Sequence, residues 1–438
     1  MRRSRGFFAV MEDDAPIVEV NVDDGVPGEV ERDVAEVSDA ADEVQGDVEA
    51  LEDAIDSAED IEAIADAAEQ SVEEGEGLDP VAAEIAEVAV ESIYRRLGVP
   101  SHVRAMPSME SFGSKTSRKT ATRVAVEGMM DKVKEIWKKV VEFFKNIYNK
   151  VVSFVTGLFA TSESLIKTLK ALETKVKDLK GVPEEDTVED KRIPEAFGES
   201  EGSSMFEKAK KTLDAQETCM VGSLSLTNSI STAIKDVKSA IEKTTTADFA
   251  VKQPDADKEK MFSIVSAHFK NAFKAKDEGK NLVAGPYVYG YTLTLSENAK
   301  EEELELEIDK GKNSRSEKIA VLSRTEMEEL RKLAYALAID VTSSKGMFEV
   351  MKHSSEHISG IASKAIEAMD KIEKNKEGEA KENDKATREA ISVLRKYLVQ
   401  LGNINLKVAT FAPAKSVQAC KEAVAYIALS MSQYKESK

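Results

Sequence analysis

Lysine is missing altogether from the first 110 residues of this 438-residue chain, and cysteine, histidine and tryptophan are scarce throughout. The two cysteines, Cys219 and Cys420, stand far apart, which excludes a disulfide framework or zinc spacing and suits a reducing compartment or indifference to redox. No stretch reaches the roughly 18 uncharged apolar residues of a membrane-spanning helix. The start, MRRSRGFFAVMEDD, has a basic tip but only the short apolar run GFFAVM, too little for a secretory signal. Neither cysteine has a histidine near it in sequence, and no Ser-His-Asp grouping can be assembled, so nucleophilic catalysis has no candidate. A phosphate loop is absent too: GSKTS at 113–117 lacks the Gly-Lys pair, the earlier glycine and a preceding strand. No cofactor is expected.

The residues that are present divide sharply. Apolar residues make up an ordinary 42%, enough for a sizeable core in two or three domains, while the charged share is high at 32%. The net charge of −20 hides a partition. Residues 1–110 carry 31 acids against seven arginines, a net of −24; the rest carries 50 acids against 54 bases, a net of +4. Within the leader, residues 12–91 hold thirty acids, one base (Arg32) and no aromatic residue. Such a segment buries too little apolar surface to offset its ordering entropy, which predicts disorder. The spacing of Leu51, Ile55, Ile61 and Ile64 also suits nascent helix, or helix formed against a partner.

The chain reads as five segments: an acidic disordered leader at 1–110, a basic Gly/Ser/Thr linker at 111–127, an amphipathic helical segment at 128–180, a polar loop at 181–203 and a helical body at 204–438. The linker carries Lys115, Arg118, Lys119 and Arg123, a weak candidate for nucleic-acid or anion contact. In the next segment Val133, Trp137, Val140, Phe144, Ile147, Val151, Val155 and Leu158 recur every three or four residues, with lysines mostly off that stripe. A second pattern runs from Leu165 to Leu179, closed by Gly181 and Pro183. Helical patterns return over 205–243, 258–277, 325–342, 344–374, 384–402 and 415–435. Between them, alternation in GPYVYGYTLTLS and EEELELEI, with EKIAVLS beyond, predicts a three-stranded antiparallel sheet at about 286–323. The fold class is mainly α with a small antiparallel β-sheet (α+β).

One catalytic pattern appears. HSSEH at 353–357 fits the inverted zincin order, in which His353 and His357 bind one zinc with Glu356 as base. A third ligand is needed, and Glu422 is the one conceivable along the chain. The flanking sequence is amphipathic with both histidines on its polar face, so no metal is expected. His102 and His268 have no local partners.

The linker holds two triplets of the form small-x-Glu: SME ending at Glu110, before Ser111, and AVE ending at Glu127, before Gly128. The leader holds more of them, at 57–59, 67–69, 71–73, 82–84 and 89–91, and others fall inside predicted helices of the body. Exposed, extended backbone is what selects among such triplets, since proteases need it. An acidic leader, a small-x-Glu triplet in a Gly/Ser linker and a lysine-rich helical body resemble the internal head proteins of giant tailed phages of the phiKZ type. That resemblance implies a non-enzymatic virion protein, made in the host cytoplasm and packed inside the phage head. It also implies a propeptide removed by a prohead protease after Glu127 or Glu110, and head or capsid proteins and packaged DNA as neighbours. Glu127 is the preferred position, because the body helix is expected to begin directly after it. A body of +4 is a poor nonspecific DNA binder on charge alone. The rival reading is a membrane-active helical protein that uses the 133–159 helix, with Trp137, Phe144, Phe154 and Phe159 as its membrane or partner face. Burial of that stripe in a helical bundle is the alternative.

Overall fold

The computed structural model describes residues 27–97, 106–198, 204–243, 254–298, 303–311, 318–374 and 381–434. Its architecture is mainly α with two small antiparallel sheets, in agreement with the periodicity.

Over its described part, from Pro27, the leader is helical where disorder was expected over 12–91. Its first 26 residues lie outside the described residues, but Pro27–Glu73 forms one helix (α1) and Pro80–Leu97 a second (α2). The apolar spacing explains this. Val44, Val48, Leu51, Ile55 and Ile61 fall on one stripe, all at most 5% exposed, with small alanines between them. Burying such a side chain stabilises by about 1.5–3 kcal/mol, which an isolated acidic chain could not collect. The partner that the spacing calls for is supplied in cis by a third helix.

That helix, α3, runs from Lys115 to Asp178, 64 residues or about 96 Å. It overturns the linker expected at 111–127. Ser114 caps it, accepting from the Ser117 backbone N–H, while the Ser117 side chain pairs back to the Ser114 N–H. The Gly/Ser/Thr composition therefore marks a helix start, and Ala121, Ala125 and Val126 are already buried there. The two patterns separated around 160 belong to this one helix, whose stripe of Met129, Val133, Ile136, Trp137, Val140 and Ile147 is fully buried.

The polar loop at 181–203 holds a three-residue strand, Thr187–Glu189 (β1), and a short helix, Arg192–Phe197 (α4). Helices Met205–Lys243 (α5) and Pro254–Phe273 (α6) come next. The sheet differs from the three strands expected at 286–323. Lys276–Glu278 (β2), Asn281–Ala284 (β3), Tyr291–Asn298 (β4) and Glu303–Lys310 (β5) form a four-stranded antiparallel meander. Tyr287 and Tyr289 precede β4 in a 3₁₀ turn instead of alternating within it. The third expected strand, Lys318–Ala320 (β6), leaves the meander and pairs with β1, Val188 opposite Ile319. Both of these inward residues are buried and flanked by exposed ones, so two three-residue strands share one core contact.

Arg324–Ser343 (α7) and Lys345–Lys374 (α8) lead to Lys381–Met431 (α9), one helix where two were expected. Pro413 sits inside it and withholds one backbone N–H. Nearby carbonyls find donors on α5: Ser223 bonds Val408 O at 3.1 Å and Gln216 bonds Ala412 O at 3.3 Å. Residues 401–417 are buried on every side, because α1, α3, α5, α7 and α8 all pack against this helix. Cys219 on α5 and Cys420 on α9 are free thiols with no exposed surface, both pushed upward in pKa by burial.

Candidate processing site and the surface under the leader

Glu110 and Glu127 occupy different kinds of backbone. SME at 108–110 lies at the start of a 3₁₀ turn, Met109–Phe112, with Ser108 extended (φ −61°, ψ 144°) and Glu110 exposed. Phe112 is fully buried and Met106 nearly so, and Arg118 Nε donates to Phe112 O at 2.8 Å, so the turn is pinned on both sides. Glu127 is also exposed, but it sits in α3 three turns past the cap, directly after buried Ala125 and Val126. The premise for preferring Glu127 fails, since the helix begins at Lys115, upstream of it.

The basic run belongs to the same place. Lys115 Nζ reaches Glu76 Oε1 at 2.6 Å and holds that carboxyl below its ordinary range. Arg118 is engaged with Phe112 O, Lys119 is half-buried and Arg123 is exposed. The turn between α1 and α2 docks on these residues. Leu78 N–H donates to Thr122 Oγ1 at 2.9 Å. Gly77, at φ +70°, lies so close that a Cβ there would stand 3.0 Å from the Arg118 and Lys119 backbone.

Far along the helix pair, Lys150 Nζ lies 2.9 Å from Asp47 Oδ2 and 3.1 Å from Glu43 Oε1. Contacts of 43 and 47 with 150, and of 76 with 115, make α1 antiparallel to α3. Burial pushes the Asp47 carboxyl up, and the hydrogen bond from Lys150 offsets only part of this. Burial opposes the Lys150 charge as well, yet the bonds to Asp47 and Glu43 outweigh it and hold the ammonium above its ordinary value. Residues 27–97 carry 24 acids against three arginines, whereas α3 carries fourteen bases against seven acids. The acidic leader thus lies along the basic helix, with apolar side chains between them.

The other sequence candidates disperse. Trp137 has no exposed surface and Phe154 is 5% exposed, so the proposed membrane face lies in the bundle. Phe159 meets Phe348 edge-on at 5.9 Å, and both line a 980 Å³ cleft whose lining also includes Lys145, Lys345, Lys352, Glu349 and Glu356. The side chain of Phe144 lies outside the described residues. Among the described residues no helix is long and apolar enough to cross a membrane.

His353 Nδ1 lies 3.3 Å from Glu356 Oε2 on the exposed side of α8. Glu422 is buried elsewhere in the bundle, where its Oε1 accepts from the Tyr289 hydroxyl at 2.7 Å. Tyr289 holds a left-handed φ of +58°, a conformation that costs about 1–2 kcal/mol, so the turn is fixed firmly enough to aim that hydroxyl. Among the described residues no group of three or more His, Cys, Asp or Glu could hold a metal ion. His102 lies outside the described residues, and His268 is exposed on α6.

Sequence reasoning missed the docking of the leader's turn on Thr122. The signal was present in the capping serines at 114 and 117 and in the glycines at 75 and 77, which end one helix and admit close approach. A family model described as phiKZ-like phage internal head proteins matches residues 19–428. No curated protein and no solved structure matches.

Proposed function

The chain belongs to the phiKZ-like phage internal head proteins, which places it inside the head of the virion, and we propose that it is a structural component matured there by a cut after Glu110. The enzyme is an endopeptidase that reads small-x-Glu. One water is consumed, leaving a carboxylate on Glu110 and an ammonium on Ser111. The body itself catalyses nothing, and its partners are that protease, other head proteins and the packaged DNA beside it.

The observation that carries this reading is the contrast between the two triplets. Glu110 is the exposed residue of a short 3₁₀ turn just before the Ser114 cap, whereas a cut after Glu127 would require α3 to unwind over buried Ala125 and Val126. Cleavage needs backbone that can be drawn out into extended form, and the end of a short 3₁₀ turn yields it more readily than a helix interior. The cut after Glu110 also keeps the cap, and it leaves Lys115, Arg118, Lys119 and Arg123 on the body for any contact with DNA phosphate.

Intact mass and N-terminal sequencing of the protein from purified virions test this. A chain beginning at Ser111 is expected. One beginning at Gly128 moves the cut, and one beginning at Met1 ends the processing account.

A further inference from the structure

We infer that cutting after Glu110 nicks the protein without releasing its leader: residues 27–97 stay docked on α3 and α9 as a separate chain, their own small-x-Glu triplets shielded while they remain there. This deepens the processing proposal and takes from it only the position of the cut.

Three sets of contacts span that cut and survive it. The first is apolar. Val44, Val48, Leu51, Ile55 and Ile61 belong to one continuous core with Val133, Trp137 and Val140 of α3. Helix α1 lies against both α3 and α9, so it fills a groove between two body helices. The second is charged: Lys150 with Glu43 and Asp47 at one end, Lys115 with Glu76 at the other. The third is the backbone bond from Leu78 to Thr122, close to the Gly77 approach. Helix α2 is tied to α1 in turn, through Arg96 to Ser57 Oγ at 2.9 Å and to Asp60 at 3.2 Å. A peptide link between such surfaces contributes effective concentration and nothing else, so its loss leaves an ordinary two-chain interface with an apolar centre and a charged rim.

Docking also protects the leader's own triplets. Ser57, Ala58, Ala68, Val72, Ala83 and Val90 each belong to one, and all are buried. The glutamates at 59, 69, 73, 84 and 91 all lie within helices, as do Glu43 and Glu52, which end the further triplets ADE and ALE. A protease that takes Glu110 therefore meets no second substrate until the leader leaves its groove. By the same token, a nick by itself leaves the −24 of the leader beside the body; charge changes only on undocking.

The test replaces residues 99–105 in the full-length protein with a seven-residue site for a sequence-specific endopeptidase. The purified protein is cut to completion and passed over a sizing column at low micromolar concentration, in 0.15 M and in 1 M salt. Co-elution of both fragments at the mass of the uncut protein, in both salts, is expected. A leader fragment eluting by itself in 0.15 M salt overturns the inference. Release in 1 M salt alone overturns the apolar interface as what holds it. A Glu-specific protease is then added to the nicked complex and to the isolated leader fragment. Cleavage at Glu59 and Glu69 is expected to be at least tenfold slower in the complex, and equal rates overturn the shielding. Because the cut is introduced artificially, these results stand apart from the virion mass: a native chain beginning at Met1 would remove the Glu110 cut yet leave co-elution unchanged.

Discussion

Helices α1 and α9 both end up packed in the bundle, and they arrive there with opposite designs. Helix α1 presents one apolar stripe to its neighbours and turns Asp53, Asp56, Asp60 and Asp66 to water. Helix α9 is enclosed on all sides over 401–417, yet that stretch contains Asn403, Asn405, Lys407, Thr410, Lys415 and Ser416. Three of these polar groups are accommodated individually. Thr410 bonds Leu406 O, Ser416 bonds Ala412 O, and the Lys415 ammonium sits 4.2 Å above the Tyr291 ring. Burial is thus set by how many neighbours a helix has, which composition by itself reports poorly. An acidic helix with one good stripe is buried on one side; a mixed helix at the centre must be buried on every side, with its own carbonyls taking up Thr410 and Ser416 and a neighbouring ring taking up Lys415.

Substitutions at matched depths sharpen that contrast. Ala412→Asp places an unpaired charge where α9 has no route to solvent, so a loss above about 4–5 kcal/mol is expected, read as insolubility or collapse of the denaturation midpoint. Leu51→Ala removes a fully buried side chain from α1 and is expected to lower the unfolding free energy by about 2–5 kcal/mol, toward the lower end because that helix has one open flank. A larger loss for Leu51→Ala than for Ala412→Asp would show that α1, and not α9, is the more tightly enclosed helix. Tyr289→Phe strands the Glu422 carboxylate in the core and should cost about 1–3 kcal/mol in chemical denaturation, with Glu422→Gln recovering part of it in the double variant.

The smallest effect concerns pH. The Asp47 carboxyl lies above its ordinary value when folded, so the folded chain holds that proton more tightly than the unfolded one. Its contribution therefore grows as pH falls through the carboxylate range and shrinks as pH rises out of it. Asp47→Asn should remove that component, changing stability by on the order of 1 kcal/mol and flattening the profile between acid and neutral pH.

Much of the helical layout could be read from periodicity, since α5 and α8 end within a residue of where the spacing predicts. The failures have particular reasons. The charge of residues 12–91 argued for disorder, while Leu51, Ile55 and Ile61 argued for a partnered helix; the second signal won because α3 lies within reach on the same chain. The linker at 111–127 was misread because serine and threonine serve caps as well as loops. Residues 403–414 fell between two expected helices, yet α9 runs through them with Pro413 inside it, and α5 side chains bond the nearby Val408 and Ala412 carbonyls. For the processing site, the triplets were legible, but the choice between them was not, because a triplet says nothing of whether its backbone is wound into a helix.

The two enclosed cysteines give this molecule a built-in gauge. Cys219 and Cys420 lie on the two helices at its centre, and Cys420 Sγ donates to Ala334 O at 3.2 Å. A thiol reagent can reach Cys420 only when α9 parts from α7, and Cys219 only when α5 parts from the turn that holds Tyr287, so the rate at which each sulfur is labelled counts openings of the innermost packing, one helix at a time.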